Sequence, residues 1–200
     1  MKKIIIASSN EGKIKEFKAL LHEFDFFSLK DFFNEDIEEN GNSFKQNALI
    51  KSRTVFDSLS TKDKKDFIVL SDDSGLCVEA LNGKPGIFSA RFSKQGSDEA
   101  NRKKLITELK NLNLSQSKAY FQAFIGLCCV YGEFCASGVL RGYVLSEQRG
   151  ENGFGYDSLF VPSGFDKTLA ELSFEEKNLI SHRKKALQNI SFLLRLFKKD

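Results

Sequence analysis

Tryptophan is absent from the 200 residues, methionine occurs once and proline only twice. So little proline excludes a polyproline or collagen-like chain. No apolar run approaches the ~18 residues that a membrane-spanning helix needs. The N-terminal run Ile4-Ile-Ile-Ala7 follows two lysines but gives way at once to Ser8-Ser9-Asn10, so it is too short for a secretory signal. The four cysteines, Cys77, Cys128, Cys129 and Cys135, lack CxxC pairing and zinc-site spacing. They are expected to be reduced core thiols of a cytoplasmic protein. A net charge of +3 is too mild to argue for a nucleic-acid groove, so neither nucleic acid nor membrane is expected as a partner. That charge does allow a local basic pocket for a small anion.

Hydrophobic residues make up 41% of the chain and charged ones 28%, with 20 phenylalanines. That is an ordinary globular composition with enough apolar mass for a real core. No repeat, low-complexity tract or linker divides the sequence, so a single domain over 1–200 is expected.

Lys3–Ala7 is a β-branched run of the kind buried on both sheet faces. After the polar stretch Ser8-Ser-Asn-Glu-Gly-Lys13, apolar residues recur at helical spacing at Ile14, Phe17, Leu20, Leu21 and Phe24. Strand, polar loop, helix is the pattern that points free backbone amides at a phosphate; it equally describes an Asn/Ser N-cap with an exposed lysine. GxxxxGK[ST] is absent. A second strand is expected near Phe26–Leu29, then an acidic loop with Glu35, Asp36, Glu38 and Glu39. Ser43 and Gln46 form a capping-box pattern opening a helix from about Phe44 to Leu59. Thr61–Asp66 is predicted to be a charged connector and Phe67–Leu70 a buried strand.

Next comes Ser71-Asp-Asp-Ser-Gly-Leu76. Carboxylates at the end of a buried strand are costly unless a cation, hydrogen-bond donors or water satisfies them. Asp72 and Asp73 beside Ser74-Gly75 therefore suit either a Mg²⁺ site that a phosphate also approaches or a solvated turn. Asn82–Gly86 is a turn cluster, Ile87–Phe92 alternates weakly, and Ser97 opens a helix with Leu105, Leu109 and Leu112 on one side. Ala119–Tyr131 and Cys135–Leu145 read as two long strands joined by a tight turn. Between Gly153 and Asp157, two glycines flank Phe154, so an aromatic face and a carboxylate can approach a flat ligand. Ser173 and Glu176 open a final helix with a core stripe at Leu179, Ala186, Ile190, Leu193, Leu194 and Phe197. Strand–helix units combined with a long hairpin predict an α/β fold with a mixed sheet flanked by helices.

Taken together, Ser8–Lys13, Glu38-Glu-Asn-Gly41, Ser71–Leu76, Pro85–Arg91, Gly153–Asp157 and Lys177–Arg183 resemble the inosine triphosphate pyrophosphatase family over nearly the whole chain. Two departures stand out: Ser8-Ser9-Asn10 replaces the family's Thr-Gly-Asn, and Ser158 replaces the usual Pro after Tyr156-Asp157. The second bears on the rigidity of that loop. The resemblance implies a long mixed sheet flanked by helices, two lobes with the active cleft between them, and a homodimer. It implies hydrolysis of non-standard purine nucleoside triphosphates to monophosphate and pyrophosphate with Mg²⁺. On that resemblance, Ser8, Ser9, Asn10, Glu11, Gly12 and Lys13 would bind the triphosphate. Glu38 and Asp73 would hold the metal, and Asp73 would be the base for the attacking water. Ser74 would touch the substrate; Phe154, Gly155, Tyr156, Asp157, Lys177, His182 and Arg183 would hold the base and sugar-phosphate. His182 and Arg183 would read the purine's 6-oxygen. The alternatives are a Maf-like pyrophosphatase acting on pyrimidine or modified nucleotides, which the Ser181-His-Arg183 triplet disfavours, and a nucleotide-binding module without turnover.

Overall fold

The computed structural model describes residues 3–196. Its strands are β1 (Lys3–Ala7), β2 (Asp25–Phe27), β3 (Phe67–Val78), β4 (Gln116–Cys129), β5 (Gly132–Leu145) and β6 (Phe160–Pro162). Its helices are α1 (Glu11–Leu20), α2 (Phe44–Ser58), α3 (Thr61–Asp66), α4 (Asp98–Asn111), α5 (Phe174–Ile180) and α6 (His182–Leu196). The strands form one sheet in the order β2-β1-β3-β4-β5-β6. β1 pairs in parallel with β2 and β3, with Lys3 opposite both Asp25 and Phe67, and β5 pairs antiparallel with β6. Only two residues join β4 to β5, and so short a connection fits antiparallel neighbours. The expected mixed sheet with flanking helices is thus present.

Two compact units share the chain. The first contains the N-terminal part up to Asp73, the hairpin portion Ala123–Gly138 and the last helix from Arg183. In it, β1 alternates between two apolar clusters. Ile4 and Ile6 enter one with Phe17, Leu21, Ile68, Leu70, Ile125 and Ile190; Ile5 and Ala7 enter another with Val55, Phe56, Phe67 and Val69. The period of two explains why a run of branched residues, rather than an alternating pattern, was needed. The second unit, Ser74–Gln122 and Val139–His182, has its own core of Leu76, Leu105, Leu109, Phe121, Val144, Leu159 and Phe160 among others.

Several sequence-based expectations change. β3 runs on to Val78, so Asp72 and Asp73 lie within a long buried strand, not at its end. Thr61–Asp66 is a helix, because Ser60 caps it by accepting from the Asp63 amide at 3.1 Å. Gly86–Arg91, whose sequence alternates only weakly, is a 3₁₀ helix. At the capping pattern before α2, Ser43 accepts from the Gln46 amide, but the Gln46 side chain accepts from Asn42, one residue early. The final helix is broken: Ser181 is extended (φ −60°, ψ 148°) between α5 and α6. Leu179 therefore leaves the stripe and is 66% exposed, whereas Ala186, Ile190 and Leu194 are buried. Leu112 lies just past the end of α4 and is exposed. Phe197, assigned to the final stripe, lies outside the described residues.

Candidate active site

In the first unit, charge is concentrated on β3. Asp72 is buried, and its Oδ2 lies 2.7 Å from Lys13 Nζ and 3.3 Å from Arg183 Nη2. Arg183, itself 1% exposed, also donates to Glu16, which is equally buried on α1. Burial by itself would raise the Asp72 carboxyl, but the Arg183 guanidinium and the Lys13 ammonium outweigh it and hold the group well below the usual carboxylate range. Burial would likewise lower Arg183, and Asp72 and Glu16 reverse that. A buried charge survives only when paired in this way. Asp72 is thus a locked anion inside a structural ion cluster.

Asp73 is different. Its Oδ1 lies 3.6 Å from Lys51 Nζ, and its buried Oδ2 has no hydrogen-bond partner among the described residues. Burial pushes its carboxyl up, Lys51 and Lys13 pull it down, Glu39 pushes it up again, and the net direction is up. Lys51 also meets Glu39 at 2.8 Å. Glu39 and Asp73 therefore share one ammonium, held by α2, where the acidic loop reaches β3. Glu38 does not join them: its side chain is exposed. It is Glu39, not Glu38, that meets Lys51 beside Asp73, because the loop ahead of Gly41 turns alternate side chains to solvent and protein. That loop end is fixed where the Gly41 amide donates to Asn47 Oδ1 at 2.8 Å.

The loop before α1 brings its own donors. Asn10 is the N-cap, accepting from the Lys13 amide at 3.0 Å, and Ser8 Oγ accepts from the Asn10 amide at 3.2 Å. The Ser8 and Asn10 side chains thus shape the loop, while the first-turn amides of α1 have no intrahelical acceptor. Those amides carry the positive end of the helix dipole. Ser9 and Glu11 are exposed, and Gly12 and Lys13 are half-buried.

The second unit holds a separate polar-aromatic group. Asp157 Oδ2 accepts from Lys177 Nζ at 2.7 Å and from the Phe154 amide at 2.9 Å. Lys177 Nζ also lies 4.3 Å from the centre of the Phe154 ring. Gly153 is obligatory here: its φ is +80°, and a Cβ would stand 2.2 Å from Asp157 Oδ2. Tyr156 is buried and donates its hydroxyl to Ser89 O at 2.8 Å, so it anchors the loop rather than presenting a polar group to a ligand. The His182 ring is buried and stacks on Phe121, with centroids 5.0 Å apart. Ser74 is half-buried on β3.

The structure thus gathers Lys13 with Asp72, and Phe154 with Asp157 and Lys177. The Arg183 guanidinium is buried and paired with Glu16 and Asp72. Glu16, Lys51, Glu39 and Asn47 were missed as site residues. Glu16 lies between the apolar positions Ile14 and Phe17, and that placement was its only sequence signal. Lys51 and Asn47 share one side of α2, four residues apart, which is a helical neighbour spacing.

The model of the Ham1 family matches residues 4–192. The dITP/XTP pyrophosphatase of Campylobacter jejuni subsp. jejuni serotype O:2 is 52% identical over 198 residues, covering 98% of this chain and 99% of the relative. That of Nautilia profundicola is 48% identical over 195 residues, covering 96% and 97%. The solved Staphylococcus aureus Ham1 protein superposes with a TM-score of 0.83 at 38% identity, covering 97% of this chain and 98% of that one. A Coxiella burnetii HAM1 protein gives the same TM-score at 37% identity, covering 98% and 99%. By sequence along nearly its full length, and by fold, the chain belongs to the Ham1 family.

Proposed function

We propose that this protein hydrolyses non-standard purine nucleoside triphosphates, dITP, ITP and XTP, to the nucleoside monophosphate and pyrophosphate, and so removes them from the nucleotide pool. The relatives' activity supports this, and Asp73 is the observation in this chain that carries it. A buried carboxylate oxygen without a hydrogen-bond partner, beside a cationic cluster, is costly to maintain and suits a group that must accept a proton. Water attacks the α-phosphorus, the α–β bridging oxygen leaves with pyrophosphate, and Asp73 takes the water's proton. Lys13 and the first-turn amides of α1 stabilise the negative charge of the triphosphate. Asp72 is already bound by Lys13 and Arg183, so it holds Lys13 in place and is not the base. Phe154 offers a stacking face for the base, and Lys177, which can only donate, suits a 6-oxygen rather than a 6-amino group.

The donor set also fits Mg²⁺. Among the described residues no cluster of three or more His, Cys, Asp or Glu forms a metal cage. Mg²⁺ commonly takes only one or two carboxylates and fills the rest with waters and substrate phosphates. Glu39 and Asp73 would hold it. When bound, it would neutralise phosphate charge and acidify water. We further propose that the protein works as a homodimer in the cytoplasm.

The decisive experiment measures pyrophosphate release from dITP, XTP, ATP, dTTP and UTP, with Mg²⁺ and with EDTA. Release from dITP and XTP well above the rest, and lost in EDTA, is expected. Preference for dTTP or UTP, or binding without release, overturns the proposal.

A further inference from the structure

Beyond the residues that would touch the nucleotide, the second unit contains a hydrogen-bonded frame around the backbone of one residue. The Gly155 amide donates to Asp98 Oδ2 at 2.6 Å, and the Gly155 carbonyl accepts from Arg102 Nη1 at 2.8 Å. Asp98 and Arg102 stand four residues apart at the start of α4, so both face the same way. They grip the two sides of Gly155, which has φ +60°. Arg102 also donates through Nε to Gln148 Oε1 at 2.7 Å, and that same oxygen accepts from Ser158 Oγ at 3.1 Å. The frame therefore ties residues 148, 155 and 158 to one helix.

Ser158 is the position where the family usually has proline. A proline ring stiffens a loop by fixing φ; a serine cannot, but its hydroxyl can join a network that proline could not. With serine at this position, hydrogen bonds from α4 to Gly155 and Gln148 hold the loop instead. Three glycines with positive φ, Gly150, Gly153 and Gly155, make this stretch intrinsically costly to order.

We propose that Asp98 and Arg102 are positioning residues for base recognition: they hold the two peptide groups that flank the Gly155 Cα so that Phe154 keeps its place against Lys177. This rests on the nucleoside triphosphate activity proposed above. It goes further in assigning base affinity to two residues on α4 that lie outside the loop itself. Tyr156 strengthens the case. Its hydroxyl binds Ser89 O, and Ser89 Oγ accepts from the Leu76 amide at 2.9 Å. The loop is thus tied at one residue to the 3₁₀ helix beside β3 and at its neighbour to α4.

The test compares KM and kcat for dITP and for ribose 5-triphosphate, which has the phosphates and sugar but no base. Arg102→Ala should raise KM for dITP about tenfold with kcat within about threefold, the split expected when binding common to ground and transition state is lost. Arg102→Lys should not rescue, because an ammonium lacks the fixed fork that serves Gln148 and Gly155 together. Asp98→Ala should raise KM for dITP several-fold, whereas Asp98→Asn, whose carbonyl still accepts, should stay near wild type. Asp98 is exposed and the helix keeps its Ser97 cap, so these two variants remain informative if Arg102→Ala fails to fold. KM for ribose 5-triphosphate should not change in any variant. Equal KM increases on both substrates, or unchanged KM for dITP in every variant, overturn the frame while leaving the activity standing. A wild-type protein that releases no pyrophosphate from any triphosphate overturns the activity and the frame together.

Discussion

Asp72 and Asp73 are adjacent, both buried, and opposite in character. Asp72 has its carboxyl held below the usual range by Arg183 and Lys13 despite burial. Its contribution to stability is present above the ordinary carboxylate pKa and is lost as pH falls through its depressed folded value. Asp72→Asn removes the anion that Arg183 and Lys13 share, which should cost on the order of 3–5 kcal/mol, read by urea unfolding at neutral pH in EDTA. Asp73 has its carboxyl raised, chiefly by burial. A raised acid works the other way: the folded state loses stability as pH climbs from the ordinary carboxylate value through the raised one. Asp73→Asn should therefore leave the metal-free protein at least as stable at neutral pH while lowering kcat by about 10²-fold or more, as loss of a general base does. Near-normal turnover by folded Asp73→Asn would remove Asp73 from the base role.

At the scale of elements, the site depends on how closely α2 lies on the sheet. A Cβ on Gly126 of β4 would stand 2.7 Å from both Ala48 O of α2 and Ser71 Oγ of β3. Ser71 Oγ in turn donates to Ala48 O at 2.5 Å. Gly126→Ala must push α2 outward, and overpacking of this kind costs about 1–3 kcal/mol. Because α2 carries Lys51 and Asn47, activity should fall along with the urea midpoint; a variant with wild-type midpoint and turnover would show that α2 has room to move. On α6, Arg183 binds α1 through Glu16 and β3 through Asp72. Arg183→Ala takes the guanidinium from two buried carboxylates, leaving Asp72 with Lys13, and should cost about 3–5 kcal/mol, with no change in the dITP-to-dATP ratio of whatever enzyme remains folded. A flattened ratio would instead return Arg183 to base recognition.

For the molecule as a whole, the proposed activity requires discrimination between 6-oxo and 6-amino purines. A buried donor-only group can reject an analogue that cannot answer it by 10⁴-fold or so. The reading proposed above gives that task to Lys177. Lys177→Ala should lower kcat/KM for dITP far more than for dATP, and an unaltered ratio would place discrimination in the backbone of the 153–157 loop. The proposed homodimer predicts twice the monomer mass by light scattering at micromolar concentration; a monomer of full activity would contradict it.

The sequence by itself determined the strand–loop–helix start, the long hairpin, the caps before α2, α4 and α5, and the family to which the chain belongs. Each follows from short-range chemistry: β-branched runs, alternation, hydroxyl caps and motifs whose residues are close in the chain. Tertiary structure decided which carboxylate meets which cation. Asp72 and Asp73 differ by nothing local; they differ because alternate side chains of a strand face opposite sides, one meeting Arg183 from 111 residues away and the other Lys51. The same alternation in the acidic loop brings Glu39 rather than Glu38 to Lys51. The charge of Arg183 is visible in the sequence, but its burial against Glu16 and Asp72 is not. The frame on Gly155 was beyond reach for the same reason: Asp98 lies 57 residues from the amide it holds, and only packing brings them together.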